Sequence, residues 1–183
     1  PMCLPRPEGR LAHLKSRAWL EWNYQKYVCR AHNDIMDAKR RMPAETFARY
    51  FKFAFVRNPW DRLVSEYNFL LERPAHGRHA RVRKLDGFKQ FIQMQIPRKD
   101  AYQVNMLCDR QGTLLMDFVG KLENLENDWQ TVCARIGIPY QELQRKNATD
   151  HSHYQDYYDK ESRDLVALHW SREIELFEYS FDD

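Results

Sequence analysis

The chain has 183 residues, of which 43% are apolar and 14% aromatic, enough side-chain volume for one packed domain. Ten Phe, ten Tyr and five Trp argue against disorder, because such a chain gains by burying them. With 30% charged residues and no apolar run near the roughly 18 residues of a membrane span, the composition excludes a transmembrane protein, and collagen and coiled coil with it. The net charge of +3 is too small for a broad nucleic-acid footprint, yet a local basic site for a small anion remains open.

Cys3, Cys29, Cys108 and Cys133 are too widely spaced for a zinc knuckle or a redox dithiol. They read as free thiols in a reducing compartment, with a Cys3–Cys29 disulfide as the alternative. The first 30 residues lack the apolar core of a signal peptide. The chain begins at Pro1, so it has lost an initiator Met or is a piece of a longer chain.

In chain order, Pro1–Arg10 reads as a tail and Leu11–Tyr27 as a helix with Leu11, Leu14, Ala18, Trp19 and Trp22 near helical spacing. Together, residues 1–28 form an N-terminal tail and helix, and residues 29–183 the main domain. Short helices are predicted over Asn33–Arg41 and Pro43–Tyr50. Phe51–Val56, mostly aromatic or β-branched, is the best strand in the chain. Arg57 follows it, then Asn58 as an N-cap and Pro59 at the first helical position. Leu63, Val64, Tyr67, Leu70 and Leu71 then fall on one helix face. Residues 73–87, with Arg73, Arg78, Arg81, Arg83 and Lys84, read as a mobile surface loop. Phe88–Ile96 is predicted helical, and Leu114–Val119 a strand closed by Gly120. Leu125–Ile136 is a helix stopped by Gly137 and Pro139. Asn147–Tyr158 is a polar, aromatic loop. Lys160–Phe177 is a long helix with Leu165, Leu168, His169, Ile174 and Phe177 inward.

Strands alternating with helices imply an α/β domain around a mostly parallel sheet, whose ligands sit beyond the carboxyl ends of the strands. That rule points at Arg57. A helix N-terminus favours an anion, and a guanidinium fork matches phosphate oxygens. Ser65, eight residues on and away from the apolar stripe, could donate to the same anion. Asp61 and Arg62 share that polar side and could equally be a solvated pair. The plain alternative is an ordinary exposed helix start with one surface arginine.

The stretch Phe55-Val56-Arg57-Asn58-Pro59-Trp60-Asp61-Arg62-Leu63-Val64-Ser65-Glu66-Tyr67 resembles the 3′-phosphate-binding motif of sulfotransferases. More closely, the chain is similar to the carbohydrate (family 2 type) sulfotransferases and their bacterial relatives. Asp117–Leu125, the run from Asn147-Ala148-Thr149 to Tyr157-Tyr158, and Ile174–Tyr179 agree in order and spacing. The resemblance covers roughly Cys29 to Phe181. It implies a P-loop-kinase-like fold, a central parallel sheet flanked by helices. It implies transfer of a sulfuryl group from 3′-phosphoadenosine 5′-phosphosulfate (PAPS) to a hydroxyl acceptor, a carbohydrate above all. By position, Arg57 and Ser65 would bind the 3′-phosphate. In-line displacement at sulfur needs a base for the acceptor proton and positive charge on the departing phosphate. His32, upstream of the Arg57 strand, is the candidate base, with a structural or capping role as the alternative. The chemistry requires no metal, although His151 and His153 form a His-x-His pair. The 147–158 loop would lie as a lid near the nucleotide, with Tyr154 and Tyr158 stacking or hydrogen-bonding there.

One family motif finds no match, the Pro-Lys-x-Gly-x-Thr type loop that cradles the 5′-phosphosulfate after a first strand. Pro5–Arg10 offers Gly9, Arg6 and Arg10 but no Thr or Ser. The chain is thus expected to lack its first strand. It would be an N-terminally shortened family member, one whose loop is supplied by Arg6 or Arg10, or one that binds without transferring. The runner-up function is accordingly a non-catalytic nucleotide-binding or scaffold domain of the same fold. Acceptor choice falls chiefly to residues 73–105, whose basic run could meet a sulfated or acidic glycan; neither nucleic acid nor membrane is an expected partner. The compartment reads as cytoplasmic, with a Golgi lumen the alternative, where the sequon Asn147-Ala148-Thr149 would matter.

Overall fold

The computed structural model describes residues 2–5 (as backbone), 34–143 and 152–183. The helix expected over Leu11–Tyr27, the candidate base His32, Cys29, the sequon and His151 lie outside the described residues.

The elements are β1 (Met2–Pro5), α1 (Ile35–Arg41), α2 (Ala44–Arg49), β2 (Tyr50–Val56), α3 (Pro59–Glu72), α4 (His79–Val82), α5 (Phe88–Gln95), α6 (Val104–Leu107), β3 (Phe118–Lys121), α7 (Leu125–Ile136), α8 (Lys160–His169) and α9 (Ser171–Leu176). Short 3-10 turns at Lys99–Ala101, Leu122–Asn124 and Tyr154–Tyr157 complete them. This is the mixed helix and strand pattern expected of an α/β chain, with a small sheet in the order β1-β2-β3. β2 and β3 are its parallel part. β1 departs from expectation, because Met2–Pro5 was read as tail and pairs antiparallel with β2, Met2 opposite Phe53 and Pro5 opposite Tyr50. Four residues carry too little alternation to announce a strand, and a proline without an N–H is tolerated at a strand end on a sheet edge.

The chain divides into two compact units. One contains β1 to Phe55, residues 104–120 and 124–142; the other contains 56–103, 121–123 and 143–183. In the first, alternate residues of β2 point opposite ways. Phe51 and Phe53 are buried against Val132 and Ile136 of α7, with Phe55, Phe118 and Trp129 around them. Lys52, on the other side, is also buried. Its ammonium meets Asp117 at 2.6 Å and the Tyr50 carbonyl at 2.9 Å. The Asp117 carboxylate also accepts the Lys52 backbone N–H at 2.8 Å, so the buried charge has both an opposite charge and hydrogen bonds. Gly137, at φ 71°, closes α7 in the left-handed region that favours glycine. Cys108 and Cys133 are buried.

In the second unit α3 is the axis. Its Trp60, Leu63, Val64 and Leu70 are buried in one cluster with Phe88, Phe91 and Ile92 of α5, Val166 of α8 and Trp170. Tyr67 and Leu71 pack on that cluster from its edge, as the sequence periodicity predicted.

Three expectations change. Residues 73–87 are not an open loop: they contain α4, Val82 is buried, and the His79 ring bonds the Leu70 carbonyl at 2.7 Å. The lone apolar Val82 among arginines gave no periodicity to read. The strand expected over Leu114–Val119 is shifted to Phe118–Lys121, while Leu114 forms only an isolated bridge to Cys108. The long C-terminal helix is two, α8 and α9, broken at Trp170. Trp170 is fully buried, its indole N–H donating to the Ala101 carbonyl at 3.2 Å and its ring stacked on Tyr102. Burying that indole sets the break, and Leu168, assigned inward, is 69% exposed.

A Cβ at Gly120 would lie 2.6 Å from the Phe55 ring and 2.9 Å from the Asp128 Cβ, closer than van der Waals contact permits. Gly120→Ala should therefore destabilise the protein by about 1–3 kcal/mol, read as a lower urea midpoint at unchanged slope.

Candidate functional site

Arg57 leaves β2 and Asn58 caps α3, its side-chain oxygen accepting the Trp60 N–H at 3.0 Å, with Pro59 at the first helical position. The sequence reading of this turn therefore holds. What the sequence did not reveal is how the turn is held. Gln103 clamps the Arg57 backbone: its Oε1 accepts the Arg57 N–H at 2.9 Å and its Nε2 donates to the Arg57 carbonyl at 2.9 Å. The second hydrogen of that amide goes to the buried Glu173 carboxylate at 3.0 Å. Next along the chain, the Asn58 N–H donates to Glu123 Oε1 at 2.6 Å, and the Asn58 side-chain amide donates to the Ser180 carbonyl at 2.8 Å. Glu123 in turn accepts the Tyr179 hydroxyl at 3.1 Å. Burial and then the Glu123 charge push the Tyr179 phenol far above its usual range, so it stays a neutral donor. Glu123 and Tyr179 lie in stretches that carried the family resemblance. Gln103 and Glu173 had no local signal, because a buried amide becomes legible only through its partners.

The guanidinium of Arg57 is itself oriented. Its Nε and Nη2 meet the two oxygens of Asp61 at 2.5 and 2.8 Å. This two-point pair uses one edge of the fork. Among the described residues Nη1 has no hydrogen-bond partner, and the side chain remains 25% exposed. Asp61 therefore belongs to Arg57, not to Arg62 as the solvated-pair reading allowed; Arg62 donates instead to the Ala101 carbonyl. Asp61 and Ser65 are four residues apart on α3, hence on one face about 6 Å apart along the axis. Ser65, half-buried, thus shares the Asp61 face of the helix.

Tyr154 and Tyr158 hydrogen-bond within the unit that carries α3. The 3-10 turn Tyr154–Tyr157 packs on α3. Tyr158 donates to the Trp60 carbonyl at 2.9 Å, and burial, with the Asp61 charge next, pushes its hydroxyl far above the ordinary phenol range. Tyr154 lies 2.5 Å from the Phe181 carbonyl. Of the His-x-His pair only His153 is described, and its ring lies on Tyr154 at 4.9 Å. A surface hollow of about 320 Å³ opens at the start of α8, lined by Tyr158, Asp159, Lys160, Arg163 and Phe181; neither Arg57 nor Ser65 lines it.

Arg57 thus stands just before α3, paired with Asp61, and Ser65 lies one turn beyond Asp61 on the helix. The comparisons carry this to a family. The model of the sulfotransferase family matches residues 13–180, and the chain belongs to that family. It is also similar to an uncharacterized protein of Archaeoglobus fulgidus, 31% identical over 103 residues that span 55% of this chain and 79% of the relative. No solved structure matches. Among the described residues no helix is long and apolar enough to cross a membrane.

Gln103→Leu would leave the Arg57 N–H, the Arg57 carbonyl and Glu173 each short of a partner. Stranding buried groups costs about 1–3 kcal/mol. Urea unfolding should show that loss, and hydrogen exchange at the Arg57 amide should accelerate while the amides of α7 do not change.

Proposed function

We propose that the protein transfers a sulfuryl group from PAPS to a hydroxyl of a carbohydrate acceptor. The observation that carries the reading is the Arg57 guanidinium, bound along one edge by Asp61 and left with its Nη1 edge, beside the Asn58-capped start of α3. A phosphate at that edge would meet planar donors of fixed charge, the positive end of a 14-residue helix and, one turn on, the Ser65 hydroxyl. This donor set fits the 3′-phosphate of the co-substrate. When bound, PAPS supplies the activated sulfuryl group. Arg57 and Ser65 hold the nucleotide end, Asp61 keeps Arg57 in register, and Gln103 keeps the backbone beneath it fixed.

The acceptor hydroxyl must lose a proton as sulfur is transferred, and His32 is proposed as the base that takes it.

Arg57→Gln removes a charge-assisted contact and should weaken binding of adenosine 3′,5′-bisphosphate by about 10- to 100-fold, and Ser65→Ala by up to about tenfold. Calorimetric titration measures both, and nucleotide affinity indifferent to both substitutions would overturn the assignment. His32→Ala should keep nucleotide affinity while losing about 10²–10⁴ in turnover, measured with labelled PAPS. Nucleotide binding by the wild-type chain without any turnover would favour a non-catalytic nucleotide-binding domain of the same fold.

A further inference from the structure

On the helix face next to Asp61 and Ser65, rotated by about 100°, α3 presents Arg62 and Glu66. The Glu66 carboxylate is 20% exposed and is ringed by cations from three segments. Arg78 comes from the start of α4, with its Nη2 2.7 Å from Glu66 Oε1. Arg98 comes from beyond the end of α5, with its Nη1 4.0 Å from the same oxygen. Arg62 acts on Glu66 from one turn away on the same helix. Gln95, the last residue of α5, is completely buried, and its Oε1 accepts from Arg98 at 3.1 Å.

The hydrogen bonding of this cluster is unbalanced in one direction. Among the described residues three of its buried polar atoms have no partner: Arg62 Nε, Arg78 Nη1 and Gln95 Nε2. All three are donors. Buried donors are almost always paired, and leaving one unmade costs as much as a lost hydrogen bond. Three stranded donors on side chains that converge on Glu66 or its neighbour Arg98 specify an acceptor with several oxygens and negative charge. The carboxylates present do not meet the demand. Asp100 is engaged with Arg98, whose hydrogen bonds hold its carboxyl below the usual range. Burial pushes the Glu66 carboxyl above the usual range despite the opposing pull of Arg62 and Arg98. The three unpaired donor atoms are themselves buried, and in buried surroundings charge-assisted hydrogen bonds count for most.

We propose that Arg62, Arg78 and Gln95, with Arg98 behind them, form an oxyanion-binding site separate from the Arg57 turn, taking a sulfate or carboxylate either as a free ion or as a substituent of an acidic glycan. Arg78 belongs to the basic run 73–87, and the site gives that run a definite task. Arg81, Arg83 and Lys84 are exposed, so a charged saccharide anchored at Arg78 would find further cations along the surface beside it. Glu66 occupies the same guanidinium that the ligand would use, and acts as an internal competitor.

The test is calorimetric titration of the full chain carrying Arg57→Gln, so that the nucleotide site contributes little, with sodium sulfate at constant ionic strength and with a sulfated disaccharide. Sulfate should bind saturably. Gln95→Leu, close in size and lacking the stranded donor, should weaken it about three- to tenfold. Glu66→Gln, which removes the competing charge, should tighten it by a similar factor. Arg78→Gln should also weaken it and serves if Gln95→Leu does not fold. A disaccharide that binds tighter than sulfate with the same sensitivity to these variants identifies a glycan substituent, whereas equal affinities identify a free ion. No saturable binding, or binding that neither Gln95→Leu nor Glu66→Gln alters, overturns the site. Adenosine 3′,5′-bisphosphate affinity, measured with Arg57 intact, should be unchanged by Gln95→Leu, so failure here leaves the nucleotide reading standing or falling on its own titration.

Discussion

A single side-chain amide holds the turn on which the functional reading rests. Gln103 completes both backbone hydrogen-bonding groups of Arg57 and spends its last hydrogen on the buried Glu173. A strand gives up its ladder partners where it ends, and β2 ends just before Arg57. The amide replaces them, mimicking a neighbouring strand one residue long. Its own orientation is fixed in turn, because flipping it would set its carbonyl against the Glu173 carboxylate. A buried carboxylate three residues into the last turns of the chain thereby determines which way the amide faces, and the amide determines the path of the backbone at Arg57.

The same economy governs charge. Asp61 takes one edge of the Arg57 fork and leaves the other, so the arginine is pre-aimed at the cost of part of its charge. Pre-organisation of this kind removes the entropy of freezing a long side chain when a ligand arrives. Lys52 and Asp117 show the opposite arrangement within the other compact unit: the ammonium is buried and bonded to a carboxylate and a carbonyl. The contrast is between a buried cation held from two sides and a quarter-exposed one held along one edge.

What the sequence made legible is what depends on local periodicity and on capping chemistry. Asn58-Pro59, the apolar face from Leu63 to Leu71, and the Gly137 stop of α7 each act within a turn or two of themselves, so their consequences could be read from spacing. The break at Trp170 could not, since the apolar spacing runs across it and its cause, the Ala101 carbonyl, lies 69 residues away. Nor could β1, where four residues become a strand only because β2 offers an edge. At the site, Arg57 and Ser65 were visible through residue type, position and resemblance. Asp61 was visible but its partner stayed open, because on a helix start both Arg57 and Arg62 lie within reach of it and only the fold decides. Gln103 and the stranded donors around Glu66 belong to no pattern, because they are defined by what surrounds them in space.

The attachment of residues 180–183 beneath the start of α3 has a consequence of its own. The Ser180 carbonyl accepts from Asn58, the Phe181 ring packs edge-on against Trp60, Tyr154 and Tyr158, and the Phe181 carbonyl takes the Gln155 amide. These few residues serve as the footing of the helix that carries Asp61 and Ser65. Truncating the Phe181 ring would slacken the start of α3 while the aromatic packing of α3 against α5 stayed in place, so the damage would surface as faster amide exchange around Asn58 and Trp60 long before it registered as lost helix content.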